Sequence, residues 1–490
     1  MTTRRMDDVE LVEVDGADAP DDADPRAAAR RARTRRLLRR WWPVPVVAVL
    51  GVVGWQALTD ARERAVVERL REVDGVIGTT VTPPLTATPW GDEPSGGWVG
   101  PGSVEVDDGA GGTWLVGASQ AEYRSEWSVS AVDPRDGTEE WRVGLGAASG
   151  DPAFGTGVGC WPEQEPARAV WCEIATTAPD GTATAVVARV DGPSRSVTSR
   201  EVVEGEQSTV AGGGLMIRAT RAGDVLTVRA VDGQSGEPAW TTDLDADAAD
   251  AADTAADDVA AVRIGVLGTH PHAPFVWVRQ DEARTTLLDL ADGRVVAEGA
   301  QVVVHRGAAL EVEGSNVTRL LGADGTGSTE VDGQPVVVGV DDGSAPGTVL
   351  LHRLDGSATG LLRAVDRESG AVLWEQPDLL TRMGSVTVLD GVVYGSSSRE
   401  VWAVDLRTGD VRWRAPAGVS TSGSLDGPPV DGVSLLRVER DPDSGDDVLA
   451  AYRLRDGARL WAEPMPAGVN SVASVSGTLF GFGDGVVVLD

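Results

Sequence analysis

From about residue 98 to the end of the chain, valine and other apolar residues alternate with polar ones. The runs are short and stop at Gly, Asp, Ser or Pro. Period-two alternation places one face of a strand in a core and the other toward water. The 61 Gly and 27 Pro punctuate the chain too often for long helices to dominate. The pattern predicts many short strands.

Upstream of residue 98 the pattern changes. Trp41 to Leu58 is apolar and carries no charge. Eighteen helical residues at about 1.5 Å each reach about 27 Å, enough for a hydrocarbon core. Residues 41–59 are therefore predicted as a single membrane-spanning helix, with Trp41, Trp42 and Trp55 at the interfaces. Val66, Val67 and Leu70 share one helical face among Arg and Glu, so the helix is expected to continue as a stalk. Thr79 to Gly97 is rich in Pro, Thr and Gly and reads as a linker.

The strand-rich region repeats. Five segments share the form A-[VY]-[DR]-x-x-[STD]-G-x-x-x-W at identical internal spacing: Ala131 to Trp141, Ala230 to Trp240, Ala364 to Trp374, Ala403 to Trp413 and Ala451 to Trp461. Each has a strand end, a turn opened by Asp in all but the fifth copy, where Arg453 stands, a Gly supplying positive φ and a strand bearing Trp. The glycines are Gly137, Gly236, Gly370, Gly409 and Gly457. A buried Trp covers about 150–250 Å², enough to seal one repeat against the next. Degenerate copies lie at Ala188 to Asp191, Leu287 to Gly293 and Leu320 to Gly325. A repeat of about 40 residues holding four strands is a propeller blade. The expectation is an all-β propeller of eight four-stranded blades, within a range of seven to nine. The chain ends at Val486 to Asp490, a strand with no turn or Trp strand after it. Either the final repeat is truncated, or residues Leu85 to Trp90 supply the missing strand and close the ring.

Charge sets topology and excludes some partners. The net charge is −33, and every basic residue is Arg. The absence of Lys and the scarcity of Asn (Asn316 and Asn470) match a bacterial, actinobacterial-type coding bias. Nine acids fall between Asp7 and Asp24, and eight Arg between Arg26 and Arg40, just before the apolar span. The positive-inside rule keeps residues 1–40 cytoplasmic, as a disordered tail, and puts residues 98–490 outside. A cleaved signal peptide is the competing reading, although an n-region of about 40 residues is long for one. The acidic main domain repels phosphate backbones, so nucleic acid is not an expected partner.

The repeat resembles the tryptophan-docking repeat of the quinoprotein, or PQQ-like, propeller superfamily over residues 98–490. That superfamily includes alcohol dehydrogenases and non-enzymatic BamB-like scaffolds. The resemblance implies that Trp141, Trp240, Trp374, Trp413 and Trp461 are structural staples between blades. The enzyme branch further implies a vicinal disulfide, an Asp base and a Ca²⁺ site of Glu, Asn and Asp. No Cys-Cys pair is present, and none of those residues can be placed on this sequence.

Other chemistry is sparse. Cys160-Trp161 and Trp171-Cys172 mirror each other about Pro166, so an antiparallel hairpin would set Cys160 opposite Cys172 as a disulfide. His270-Pro-His272 lacks ligand spacing for a metal. Asp243 to Asp258 begins like a Ca²⁺ loop but has Ala248 and Thr254 at key positions; Asp441 to Asp447 reads as a hairpin tip. Asn316-Val-Thr318 matches a sequon in a chain of bacterial composition. No catalytic, cofactor-binding or metal residue is assigned, and no cofactor is expected. The function this supports is a binding or scaffold module for a protein, peptide or envelope ligand. A divergent PQQ-dependent dehydrogenase and an extracytoplasmic sensor are the alternatives.

Overall fold

In the computed structural model, the described residues are 43–90, 104–108, 112–120, 126–147, 158–163, 168–177, 183–204, 207–245, 263–267, 275–279, 284–299, 301–313, 316–322, 328–353, 359–381, 385–421, 427–441 and 444–490. The tail at 1–40, Trp41, Trp42 and residues 91–97 of the linker lie outside them. The chain forms two compact units, Met1–Val66 and Val67–Asp490.

The first unit contributes most of one unbroken helix, Pro43–Arg71. Pro43 and Pro45 sit in its first turn, where missing N–H groups cost least. Asp60, Arg62, Glu63 and Arg64 follow the apolar stretch within the same helix. Among the described residues, no helix is long and apolar enough to cross a membrane. The span expected over 41–59 is thus not supported among the described residues, which leave out Trp41 and Trp42.

The second unit is a propeller of nine blades, not eight. Among the described residues, nine sheets, antiparallel apart from one added strand, follow in chain order, at 104–147, 158–204, 207–245, 263–299, 302–332, 334–381, 385–416, 419–464 and 469–489. Eight contain four strands, and the seventh has a fifth. Eight turn motifs, complete or degenerate, join the third and fourth strands of blades one to eight. The ninth blade has no such turn, because its fourth strand is Ala87–Pro89 from upstream of the ring. That strand pairs antiparallel with Val486–Leu489, with Thr88 opposite Val488. Counting turns therefore undercounts blades by one. The final repeat is completed from elsewhere, which removes an open outer edge.

The core runs between blades. Separate apolar clusters join blades one and two through Trp114, Trp141 and Cys172, three and four through Trp240 and Leu288, and six and seven through Trp374 and Trp402. Leu115 and Val132 of the first blade pack with Phe480 and Val488 of the ninth, closing the circle.

The sixth blade departs from the repeat. Its inner strand begins as Gln334–Pro335, paired with the strand Thr348–Arg353 of its own sheet. The chain then leaves, and Val337–Asp341 runs parallel to the inner strand of the seventh blade, Ser385–Leu389. All five residues of that inner strand are buried.

Candidate functional site

The repeat residues form a relay from blade to blade. Each motif Ala lies opposite its Trp across the two outer strands: Ala131 and Trp141, Ala230 and Trp240, Ala364 and Trp374, Ala403 and Trp413, Ala451 and Trp461. The small Ala leaves the indole free to lie over the turn of the next blade. Trp240 Nε1 donates to Leu290 O at 2.9 Å, Trp374 Nε1 to Leu406 O at 2.8 Å and Trp413 Nε1 to Leu454 O at 2.8 Å. The motif Asp caps its own turn: Asp232 accepts from the Gln234 and Ser235 amides, and Asp405 from those of Arg407 and Thr408. These N–H donors hold the Asp232 carboxyl below the usual carboxylate range.

The relay is incomplete: Ala297 and Thr329 stand at the Trp position of blades four and five, and blades two and nine depart further. In the second blade the register places Arg189 at the Ala position, Arg195 at the Gly position and Ser199 at the Trp position. Arg195 adopts the positive φ of 54° that Gly takes in the other turns. Its guanidinium lies 5.8 Å from the Trp114 ring centroid. Trp141, which faces this altered turn, has a buried indole N–H with no hydrogen-bond partner. Trp461 packs instead with Ile77, Val81, Leu85 and Met465, because the ninth blade has no docking turn.

Cys160 and Cys172 are bonded, with sulfurs 2.02 Å apart, and stand opposite each other between Val158–Pro162 and Ala169–Thr177. Both are buried at the junction of blades one and two. The neighbouring Glu173 is also buried, and Oε2 has no partner. Burial pushes its carboxyl up to about 7 against the opposing effects of Thr209 and Arg218.

The face bearing the docking turns also receives the chain. Arg69 pairs with Asp390 at 3.3 Å, and Arg71 Nε donates to Asp431 O at 3.2 Å. Ile77 N donates to Val430 O, Gly78 N to Gly477 O and Val81 N to the buried Asp431 carboxylate. Residues 69–81 thus cross blades seven, eight and nine before supplying the closing strand. Sequence reading took much of this stretch for stalk and linker. The apolar triplet Val76, Ile77 and Val81, all nearly fully buried, was the available signal.

Two buried polar networks brace neighbouring junctions. Arg306 reaches Asp341 at 2.7 Å and Thr348 O at 3.3 Å, and also bonds Ser344 O. Beside it, His305 Nε2 accepts the Leu350 amide at 3.1 Å. Burial, with Arg306 alongside, pushes His305 down to about 3, so the imidazole is neutral and able to accept. Between blades seven and eight, Glu439 accepts from Tyr452 OH at 2.9 Å, Gly418 N at 2.9 Å and Arg459 at 3.0 Å. Arg437 donates to Glu400 O, Ser398 O and Gly418 O. Burial and the adjacent Glu439 raise the Tyr452 phenol.

Among the described residues, no group of three or more His, Cys, Asp or Glu is placed to hold a metal ion. His270, His272 and Asp247 to Asp258 lie outside them. Asp243 accepts the Thr227 hydroxyl at 2.8 Å. Asp441 accepts the Ser444 amide, and Asp447 pairs with Arg440. The cysteines, twelve residues apart in sequence, do not form a vicinal disulfide. Among the described residues, the donor set does not fit a quinone cofactor with Ca²⁺.

The family model for outer membrane protein assembly factor BamB matches residues 358–490. That stretch contains three of the five complete motifs. No curated protein matches. Similar solved structures include BamB from Moraxella catarrhalis, at 16% identity over 82% of this chain and 99% of that one, with a TM-score of 0.38. Sqt1 of Saccharomyces cerevisiae is 12% identical over 77% of this chain and 91% of its own, with a TM-score of 0.33. The quinohemoprotein alcohol dehydrogenase ADHIIG of Pseudomonas putida HK5 is 12% identical over 77% and 70%, with a TM-score of 0.30. The chain is thus a nine-bladed propeller whose last part matches the BamB family model.

Proposed function

We propose that this protein is an extracytoplasmic propeller held at the membrane by residues 41–59, and that it binds a protein, peptide or envelope ligand without transforming it. The main support is where the buried polar chemistry is directed. Arg306, Asp341, Arg437 and Glu439 bond to backbone or to one another across blade junctions. Such networks rigidify a surface that presents loops. The match of residues 358–490 to the model of an assembly factor points the same way. The tether rests on sequence, through the Arg cluster that precedes an uncharged stretch.

Cross-linking in intact cells, followed by purification of the full chain from membranes, tests the reading. A recurrent cross-linked partner is expected. Alkaline carbonate should leave the chain in the membrane pellet, and external protease should reach the propeller. Stoichiometric PQQ binding with Ca²⁺, together with turnover of an alcohol by an artificial electron acceptor, would overturn it.

A further inference from the structure

The strand Val337–Asp341 has left the edge where its own sheet would hold it. In the sixth blade Gln334 pairs with His352 and Pro335 with Leu351. Continued in that register, Val337 would meet Val349 and Val338 would meet Thr348. They instead lie beside Ser385 and Val386 of the seventh blade. The groups this leaves open are filled by substitutes: His305 takes the Leu350 amide, Arg306 takes Thr348 O, and Ala345 O takes the Thr348 amide.

The two halves of the strand are held unequally. After a register irregularity at Gly339, the second half is clamped. Arg306 grips Asp341, Asp342 N donates to Val388 O, and Ser344 Oγ accepts the Gly391 amide. The first half has its parallel pairing and the packing of half-buried Val338 on the apolar cluster of blades six and seven, and Val337 is 54% exposed. Parallel pairing is slightly weaker per residue than antiparallel. Gly339, with no side chain, is suited to act as the pivot.

We propose that Val337–Val338 is a displaceable occupant of the inner edge of the seventh blade, and that this edge receives an extended, β-branched peptide segment from a protein partner. The incoming strand hydrogen-bonds to Ser385–Thr387, while Val337 and Val338 swing about Gly339 off that edge, and Arg306, His305 and Ala345 keep the backbone groups of Thr348 and Leu350 satisfied. Main-chain bonds supply affinity, and the apolar surroundings select Val- or Ile-like residues. The occupant already seated there defines that chemistry. The proposal deepens the binding-module reading and rests on it.

The test uses the full chain and a fluorescent peptide with the sequence of residues 334–341. In V338C/V386C, oxidation pins the occupant; in V337D/V338D, the occupant is weakened at an exposed and a half-buried position. Mass spectrometry confirms that Cys160–Cys172 is intact, and melting confirms the fold. The V337D/V338D variant should bind the peptide at least tenfold more tightly than the oxidised double-cysteine variant, with wild type between them and reduction restoring binding. Any other order, or no saturable binding by the three proteins, overturns the proposal. If the oxidised variant still cross-links the same membrane partner as wild type, strand exchange fails while the binding-module reading stands.

Discussion

Gly409 lies directly beneath the indole of Trp374 from the preceding blade: a Cβ on this glycine would stand 2.5 Å from Trp374 Cγ. Gly457 has the same relation to Trp413, and Gly293 to Trp240. The motif Gly thus meets two demands, a left-handed turn and a surface flat enough for a ring.

Those demands separate at Gly236. It has φ of 73°, against 75° at Gly409, but a Cβ there would meet nothing within 4 Å. The neighbour that would cover it has Ser199 in place of Trp. Gly236→Ala should cost about 1–2 kcal/mol, the left-handed strain alone. Gly409→Ala adds overpacking and should cost about 2–5 kcal/mol in all. Urea unfolding of both variants checks the contrast; equal costs would show that the ring contact is unimportant.

Glu173 should make stability fall as pH rises from about 4.5 to about 7. Its folded-state value of about 7 lies above the ordinary 4.5, so the native state favours the protonated acid. That contribution is full below pH 4.5 and is lost as pH rises through 7. Glu173→Gln should flatten the fall in melting temperature between about pH 5 and pH 7. A wild-type slope that persists in the variant would place the effect elsewhere.

His305 should act in the opposite direction. Its folded-state value of about 3 lies below the ordinary 6.5, so the unfolded chain takes up a proton that the native state refuses. Stability should decline as pH falls from about 6.5 toward 3. His305→Ala leaves the buried Leu350 amide without its acceptor and should cost about 1–3 kcal/mol at pH 7. Denaturant titration at pH 7 and pH 5 measures both the cost and the lost slope.

The closing strand offers a test that spares the blades. Removing residues 1–90 takes away the partner of Val486–Leu489 and the buried residues Val76, Ile77 and Val81. The truncated chain should melt at a lower temperature than the full chain, and amide exchange should rise first at residues 486–489. Protection there equal to that of the full chain would mean that the ring closes without the strand.

The legible features were those encoded by local chemistry. Ala, Asp, Gly and Trp recur at fixed offsets because each turn needs a cap, a positive φ and a docking ring, and the resemblance to PQQ-like propellers rested on them. The second blade was harder to place. Arg195 adopts a glycine conformation and Ser199 stands where Trp would, so its register emerges only from strand pairing. The path of residues 69–81 and the displacement of Val337–Asp341 depend on partners far away in sequence, such as Asp390 with Arg69 and Arg306 with Asp341. No local periodicity carries such information. The same limit hid Glu439 and His305, whose environments come from neighbouring blades.

Joining Ala87 to Leu489 also sets a clock. At about 5–20 residues per second, the first is made roughly 20–80 s before the second. Throughout that interval Ala87–Pro89 must wait without its sheet, and eight blades can assemble while the circle stays open. Leu489 then meets a strand made long before it, so this single seam is where synthesis and folding must agree on timing.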